Sequence, residues 1–297
     1  MTRRKQASDF PQEVLALFDG YVHGFIRRRD FLKGAGKVLG SSAAAVAVLE
    51  ALRPNYAWAR HVATDDARIR QEYVTYPSPD GSGTMRGYMA VPVDATEPKP
   101  AVLVIHENRG LNPYIEDVVR RFAAAGFVAL GPDALTPLGG YPGNDDEGRV
   151  MQRQLDRDVK MEDWVAAFRF RRDHETTTGR VGAVGFCYGG GVLNQLAVRL
   201  PDLGAGVPFY GSAAAAEDVP SIQAPLMIQL AGLDERINAA YPAYREALEA
   251  HGKSFVVHVY EGANHGFHND TTPRYDQEAA SLAQERTIAF FNDHLRG

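Results

Sequence analysis

The 297-residue sequence contains a single cysteine, Cys187. One cysteine excludes an intramolecular disulfide and a zinc site made of cysteines alone, so Cys187 is either a buried small hydrophobic residue or a reactive thiol. The chain also lacks a basic excess, since 32 Lys and Arg stand against 37 Asp and Glu, giving a net charge of −5. Binding to a nucleic-acid backbone needs such an excess, and we therefore expect no nucleic-acid partner.

Long hydrophobic runs are scarce as well. The uncharged run 38–49 is shorter than the roughly 20 residues that a membrane span needs, so we expect no stable membrane insertion. Hydrophobic residues make up 45% of the chain and charged residues 23%, which is typical of a globular protein rather than a disordered one. The sequence therefore predicts one large domain with an appendage.

The appendage is an N-terminal extension over residues 1–62, followed by a domain over 63–297. Apolar residues in 11–26 recur at the spacing of one helix face. The next stretch, RRRDFLK at 27–33, leads into a small-residue apolar run and then an Ala-Trp-Ala site before Arg60. This order resembles a twin-arginine export signal.

Two locations follow from that extension. An export signal predicts a periplasmic protein cleaved near Arg60. The alternative is a cytoplasmic protein that retains residues 1–62 as helices packed on the main domain. In either case we expect a monomer or a small homo-oligomer.

From about residue 65 the chain alternates short apolar runs with helical patterns, which is typical of a mostly parallel sheet flanked by helices. Residues 69–92 predict an antiparallel hairpin at the sheet edge. Residues 133–154 predict a long polar loop or lid. Further strands are expected at 101–105, 127–130, 180–185, 205–210, 225–230 and 254–260, with helices at 113–125, 155–173, 189–200, 239–251 and 275–295.

The motif GFCYG at 185–189 stands between a buried strand and a small-residue helix. A sharp strand-to-helix turn strains the backbone of its central residue, and side chains two positions away would collide with the neighbouring strand and helix. Glycines at both flanks therefore indicate a nucleophile elbow with Cys187 as nucleophile. The dipole at the start of the helix favours the thiolate and an oxyanion beside it.

Two loops after later strands supply an acid and a base. Asp234 follows the strand at 225–230, and His265 follows the strand at 254–260. The chain order of nucleophile, acid and histidine is that of an α/β-hydrolase, which predicts that Asp234 orients His265 and that His265 moves the proton of Cys187. The rivals are Glu235 for the acid and His106, His258 and His268 for the base.

The loop HENRG at 106–110 follows the strand that provides the second oxyanion-hole donor in this arrangement. We expect the backbone N–H groups of Asn108 and Tyr188 to form that hole. The zincin pattern H-E-x-x-H fails because Gly110 stands where the second histidine belongs, and His265, His268 and Asp270 lack firm ligand spacing. We therefore expect no metal and no cofactor.

Taken together, the motifs resemble the dienelactone hydrolases (carboxymethylenebutenolidases), cysteine members of the α/β-hydrolase fold, from about residue 65 to the end of the chain. The segments that carry the resemblance are VLVIHENRG, AAAGFVALGPDAL, VGAVGFCYGGG, FYG, GLDE, EGANHGF and AASLAQERTIAFF. The resemblance implies a hydrolase of small esters or lactones. The alternative is an exported binding or scaffold protein that keeps the fold without activity.

The resemblance also implies roles for single residues. Glu107 would contact the resting cysteine and move when substrate binds. Two arginines that hold a substrate carboxylate in that family are replaced by Thr136 and Asn269, which predicts a preference for neutral substrates. Candidate substrate contacts are Arg109, Tyr210, Arg236 and Phe267, and Arg109 or Arg236 would restore a carboxylate site from another direction.

Overall fold

The N-terminal extension forms three helices, α1 (Gln12–His23), α2 (Arg28–Leu39) and α3 (Ser42–Ala51). The computed structural model describes residues 3–94 and 97–296. The apolar residues of α1 are buried, and Gly24, with φ of 80°, ends that helix in the left-handed conformation that glycine favours. The small-residue apolar run that follows 27–33 divides at Gly40, after which the Ser41 hydroxyl caps α3 by accepting from the Ala44 N–H.

These helices bury a hydrophobic cluster of their own, which includes Val14, Phe18, Phe31 and Leu49. No single helix among the described residues is long and apolar enough to cross a membrane, and the pair Arg28–Leu39 with Ser42–Trp58 reaches that composition only together, bent by 112°. The packed-helix arrangement of the extension is thus present, whereas export stays a prediction.

The main body is built on one eight-stranded sheet. Its strands are β1 (Ile69–Ser78), β2 (Gly83–Pro92), β3 (Lys99–Ile105), β4 (Val128–Pro132), β5 (Thr177–Phe186), β6 (Ala205–Phe209), β7 (Leu226–Ala231) and β8 (Phe255–Tyr260). The strand order is β1-β2-β4-β3-β5-β6-β7-β8, with β1 and β2 antiparallel to their neighbours and the others parallel. The edge hairpin and the mostly parallel sheet are as predicted.

Helices cover both faces of the sheet. They are α4 (Pro113–Ala124), α5 (Asp145–Gln154), α6 (Arg157–Arg172), α7 (Tyr188–Arg199), α8 (Glu235–Asn238), α9 (Tyr241–Ala250) and α10 (Gln277–Leu295). Two buried clusters fill the space between sheet and helices, one on each face. This is the α/β-hydrolase fold predicted from the sequence, with the N-terminal helices added to it.

One local prediction was wrong. The stretch 133–154, expected as a polar loop, contains α5 and a short 3-10 helix at Thr136–Leu138. The side chain of Asn144 caps α5 by accepting from the N–H groups of Asp146 and Glu147, and three acidic residues in the first turn favour the helix dipole. Polarity alone did not indicate a loop, because capping and charge placement also stabilise a polar helix.

Candidate active site

Cys187 lies in a strained turn between β5 and α7. Its backbone has φ of 57° and ψ of −113°, a conformation that L-residues rarely adopt. A Cβ at Gly185 would lie 2.1 Å from the carbonyl oxygen of Gly189, and one at Gly189 would lie 2.3 Å from that of Ile105. The glycines are therefore required by close backbone contact, and the turn has the geometry of the predicted nucleophile elbow.

The sulfur of Cys187 lies at the beginning of α7. Tyr188 is the first residue of that helix, so its N–H is among those that have no acceptor within the helix. Asn108, from the loop after β3, lines the same cavity as Cys187 and Tyr188. The fold thus brings the two expected oxyanion-hole residues to the nucleophile.

His265 and Asp234 lie beside one another past the ends of β8 and β7. Nδ1 of His265 donates a hydrogen bond to Oδ2 of Asp234 at 2.5 Å, while the other carboxylate oxygen accepts from the Ile237 N–H. Burial would raise the pKa of the Asp234 carboxyl, but the hydrogen bond and charge of His265 outweigh burial and lower it. Asp234 therefore remains an anion that fixes the His265 tautomer.

That tautomer leaves Nε2 of His265 as the nitrogen that can accept a proton. Nε2 is buried and has no hydrogen-bond partner among the described residues. One nitrogen of this ring lies within 4.8 Å of the Cys187 sulfur. A buried nitrogen without a partner is costly unless a reacting group uses it, which favours an acid-base role.

The rivals named from the sequence lie elsewhere. Glu235 is exposed, and the ring of His106 accepts from the Ala134 N–H. His258 pairs with Gln229 along the strand register of β8 and β7. His268 is buried between Tyr114 and Gln284, with hydrogen bonds to both.

A second histidine, which the sequence interpretation missed, also contacts the nucleophile. His23, the last residue of α1, places Nε2 3.2 Å from the sulfur of Cys187. Its Nδ1 donates to the backbone oxygen of Asp19 at 2.8 Å and lies 3.2 Å from the Asp19 carboxylate. The sequence does show a His four residues after an Asp, so that both lie on one face of a helix. It does not show that this face packs against Cys187, because that contact depends on the tertiary fold.

The sulfur of Cys187 and one nitrogen each of His23 and His265 lie within 4.8 Å of one another. This trio is a cluster in which two imidazoles can exchange a proton with one thiol. The trio considered from the sequence is different, because His268 and Asp270 bond elsewhere: Asp270 pairs with His61 and Arg121.

Two other predicted residues, Glu107 and Arg109, do not line the cavity beside Cys187. Glu107 is buried and accepts a hydrogen bond from Asn269 at 2.9 Å. The side chain that forms a hydrogen bond with the Cys187 sulfur is His23 and not Glu107. The gating role of Glu107 stays a prediction. Arg109 is buried against Asp145, away from the cavity beside Cys187.

Tyr210 and Arg236 line that cavity, but Phe267 does not. The ring of Phe267 is fully buried and packs on Tyr210 and Tyr260. Phe267 therefore packs behind the site in the core, and its contact with substrate stays a prediction.

The cavity beside Cys187 has a volume of about 320 Å³, within the usual range for small-molecule sites. Its cationic lining residues are Arg149, Arg153, Lys160 and Arg236, and no carboxylate is among the lining residues in the described part of the chain. Phe25, from the extension, covers one side. The charge of this lining favours anions and not the neutral substrates expected from Thr136 and Asn269.

Comparisons with known proteins agree with this fold. The model of the dienelactone hydrolase family matches residues 85–295, and a model described as YqhI-like matches residues 1–38. A "putative hydrolase fragment YghX" of Escherichia coli is 57% identical over 112 residues, which are 38% of this chain and 96% of that protein.

A longer match is a "putative carboxymethylenebutenolidase" of Saccharolobus solfataricus, 30% identical over 69% of this chain and 93% of its own length. The crystal structure of a putative dienelactone hydrolase from Klebsiella pneumoniae superposes with a TM-score of 0.66 at 25% identity, covering 75% of this chain and 98% of that one. The chain therefore belongs to the dienelactone hydrolase family.

Proposed function

We propose that the protein hydrolyses small esters or lactones through a covalent thioester on Cys187, with His265 as acid and base and Asp234 as its orienting carboxylate. The observation that carries this proposal is the pairing of two features. A cysteine lies at the strained tip of an elbow, and one nitrogen of His265 lies within 4.8 Å of its sulfur; the Nε2 of that ring is buried and has no hydrogen-bond partner among the described residues. The name of the Saccharolobus solfataricus relative supports a lactone or ester as substrate.

The first step is acylation. The thiol proton leaves the sulfur for an imidazole nitrogen, and the sulfur adds to the carbonyl carbon of the substrate. Negative charge develops on the carbonyl oxygen, where the N–H groups of Tyr188 and Asn108 stabilise it. The carbon–oxygen bond of the ester then breaks, and the imidazolium protonates the departing alkoxide.

The second step is hydrolysis of the thioester. His265 takes a proton from water, and the hydroxide adds to the carbonyl carbon. The carbon–sulfur bond breaks, its electron pair returns to sulfur, and the carboxylic acid leaves. The imidazolium of His265 then returns its proton to the sulfur, which restores the starting state. Asp234 stays ionised throughout and stabilises the imidazolium of His265, as its lowered pKa allows.

The alternative, a non-catalytic binding or scaffold protein, requires that this chemistry be lost. Such loss usually removes one member of the site, yet a nucleophile, an orienting acid, a histidine and two donor positions occur together around one cavity. The enzyme is therefore the better account of the geometry.

The test is turnover of a panel of lactones and aryl esters by the full-length protein. We expect Cys187→Ala to lower kcat by about 10³-fold or more, because the thiolate is the nucleophile. Ser221→Ala, which removes a small polar side chain from an exposed position away from the site, is the matched control and should stay near wild type. Wild-type turnover in Cys187→Ala would refute the proposal.

A further inference from the structure

We propose that the N-terminal extension supplies a second catalytic histidine: His23, oriented by Asp19, holds Cys187 as a thiolate in the resting enzyme. This inference rests on the proposed function, because it takes Cys187 as the nucleophile. It reassigns protonation of the leaving alkoxide from His265 to His23 and leaves His265 as the base that activates water.

The geometry of His23 leaves one nitrogen for the sulfur. Nδ1 donates to the backbone oxygen of Asp19 at 2.8 Å and lies 3.2 Å from its carboxylate, so Nε2 is the atom that faces Cys187, at 3.2 Å. This repeats the arrangement of Asp234 and His265, where a carboxylate also holds Nδ1. Two Asp–His pairs thus converge on the same thiol from different parts of the chain.

Hydrogen bonds to the main domain hold both ends of α1 in place near the contact between His23 and Cys187. Asn108 donates to the Val22 backbone oxygen at 2.9 Å, and Arg149 donates to that of Tyr21 at 2.9 Å. At the other end of the helix, Gln12 donates to Asn264 at 2.9 Å. His23 is therefore positioned by hydrogen bonds to the loops that carry the oxyanion residue and His265, and not by its own helix alone.

The charges around His23 support an imidazolium. Burial alone would lower the pKa of His23, but the charge of Cys187 and the hydrogen bonds with Asp19 and Cys187 outweigh burial and raise it. Burial would likewise raise the pKa of Asp19, yet the charges of His265, His23 and Arg274 hold it far below its usual range. An ionised Asp19 thus stabilises a positive His23, which in turn stabilises the thiolate.

Other titratable groups face the same cluster. They are Asp234 and Arg236 at the start of α8, His265 and Arg274 after β8, Tyr210 after β6, Arg149 and Arg153 on α5, Lys160 on α6 and, from behind the cavity, Glu107 and Arg109 after β3. Arg236 opposes protonation of His23, because its guanidinium lies 3.4 Å from Nε2. Asp19 offsets that cation, since its carboxylate lies 3.4 Å from Arg236 and 3.2 Å from Nδ1 of His23.

When the two histidines divide the work in this way, every proton that is released during the reaction is accounted for. In the resting enzyme the proton of Sγ sits on Nε2 of His23. When sulfur adds to the carbonyl carbon and the ester bond breaks, His23 gives its proton to the leaving alkoxide. His265 then takes a proton from water, the thioester is cleaved back to thiolate and carboxylic acid, and transfer of that proton from His265 to His23 restores the resting state.

The first test measures the ionisation of Cys187 without turnover, by its ultraviolet thiolate absorption against pH, with Cys187→Ala as baseline. We expect the wild-type thiolate to titrate at least about one pH unit below the ordinary cysteine value of about 8.5. His23→Gln should move that titration up by about 1 to 2 units, and Asp19→Asn by part of this shift. His265→Gln should abolish turnover and leave the titration within about half a unit, since His23 still faces the sulfur.

The second test is the pH profile of kcat/KM in the full-length protein. His23→Gln should lose about 10- to 100-fold near pH 6 and recover to within about threefold near pH 9, where the thiol ionises by itself. Glu13→Gln, which removes an exposed carboxylate from the same helix, is the control and should follow wild type. A purely structural His23 would instead lower activity equally at every pH.

Two results would overturn the inference. One is a wild-type thiol that titrates at the ordinary value; the other is a thiolate that survives in His23→Gln and disappears in His265→Gln. Both leave the proposed function standing, because that function is tested by the turnover of Cys187→Ala, which neither result changes. The two failures are therefore distinguishable.

Discussion

The imidazole of His23 meets that of His265 edge to face, with ring centroids 4.7 Å apart and planes at 87°. One ring comes from the N-terminal extension and the other from the loop after β8, and the Cys187 sulfur lies beside both. Because each ring is held at Nδ1 by its own aspartate, neither can rotate to replace the other. His23 and His265 therefore have different tasks in the proposed mechanism.

The identity of the orienting acid is tested by two neighbouring carboxylates. Asp234→Asn should lower kcat by about 10³- to 10⁴-fold while the protein stays folded, since an amide no longer fixes the correct tautomer or stabilises the imidazolium. Glu235→Gln, at an exposed position one residue away, should change kcat less than about threefold. Steady-state kinetics on one aryl ester compares them, and the reverse order of effects would show that Glu235 is the acid.

The sequence predicted the sheet, and it predicted that three candidate residues would lie close together, for a simple reason. Cys187, Asp234 and His265 each follow a strand, and the carboxyl ends of parallel strands meet at one edge of a sheet. His23 could not be predicted in this way, because its contact with Cys187 joins residues 164 positions apart and depends on how α1 docks. The helix α5 was missed because a polar composition hid its Asn144 cap.

The cavity also predicts the charge of the preferred substrate. The cavity lining carries Arg153, Lys160 and Arg236, so we expect a carboxylate-bearing lactone to be preferred over its neutral methyl ester. One charge-assisted contact contributes about 1.5 to 3 kcal/mol, and Arg153→Gln should therefore cost about 10- to 100-fold in kcat/KM for the anion alone.

The matched control is Arg169→Gln, which removes an exposed cation from α6 outside this cavity. It should leave both substrates unaffected. A wild-type enzyme that prefers the neutral ester would instead support the expectation drawn from Thr136 and Asn269.

We expect the buried His268 to make the folded protein less stable in acid. Full burial lowers the pKa of His268 to about 3, so the folded state keeps the ring neutral while the unfolded chain protonates it near 6.5. Above that value both states are neutral and the group has no effect; as pH falls below it, the unfolded state gains protons and the free energy of unfolding decreases. At about pH 5 this term costs about 2 kcal/mol.

Urea unfolding at two pH values measures this effect. We expect His268→Gln to be less stable than wild type near neutral pH, because its hydrogen bonds with Tyr114 and Gln284 change, but to lose less stability on acidification. An identical pH dependence in both proteins would show that other groups carry the acid sensitivity.

The fate of the N-terminal extension is also measurable. Cleavage near Arg60 would remove α1 and with it Asp19 and His23. We therefore expect protein isolated from native cells to begin before Asp19, as in the cytoplasmic alternative. N-terminal sequencing decides this: a mature chain that starts near Arg60, with export blocked by Arg28→Lys plus Arg29→Lys, would establish the export signal instead.

The central claim is that a thioester forms on Cys187. The direct measurement is mass spectrometry of the full-length protein, acid-quenched during turnover of an activated aryl ester and then digested. We expect an acyl group on the peptide that contains Cys187, and more of it in His265→Gln if acylation there outpaces the slowed attack of water. An acyl group on any other residue, or turnover with a product burst and an unmodified Cys187, would contradict the account.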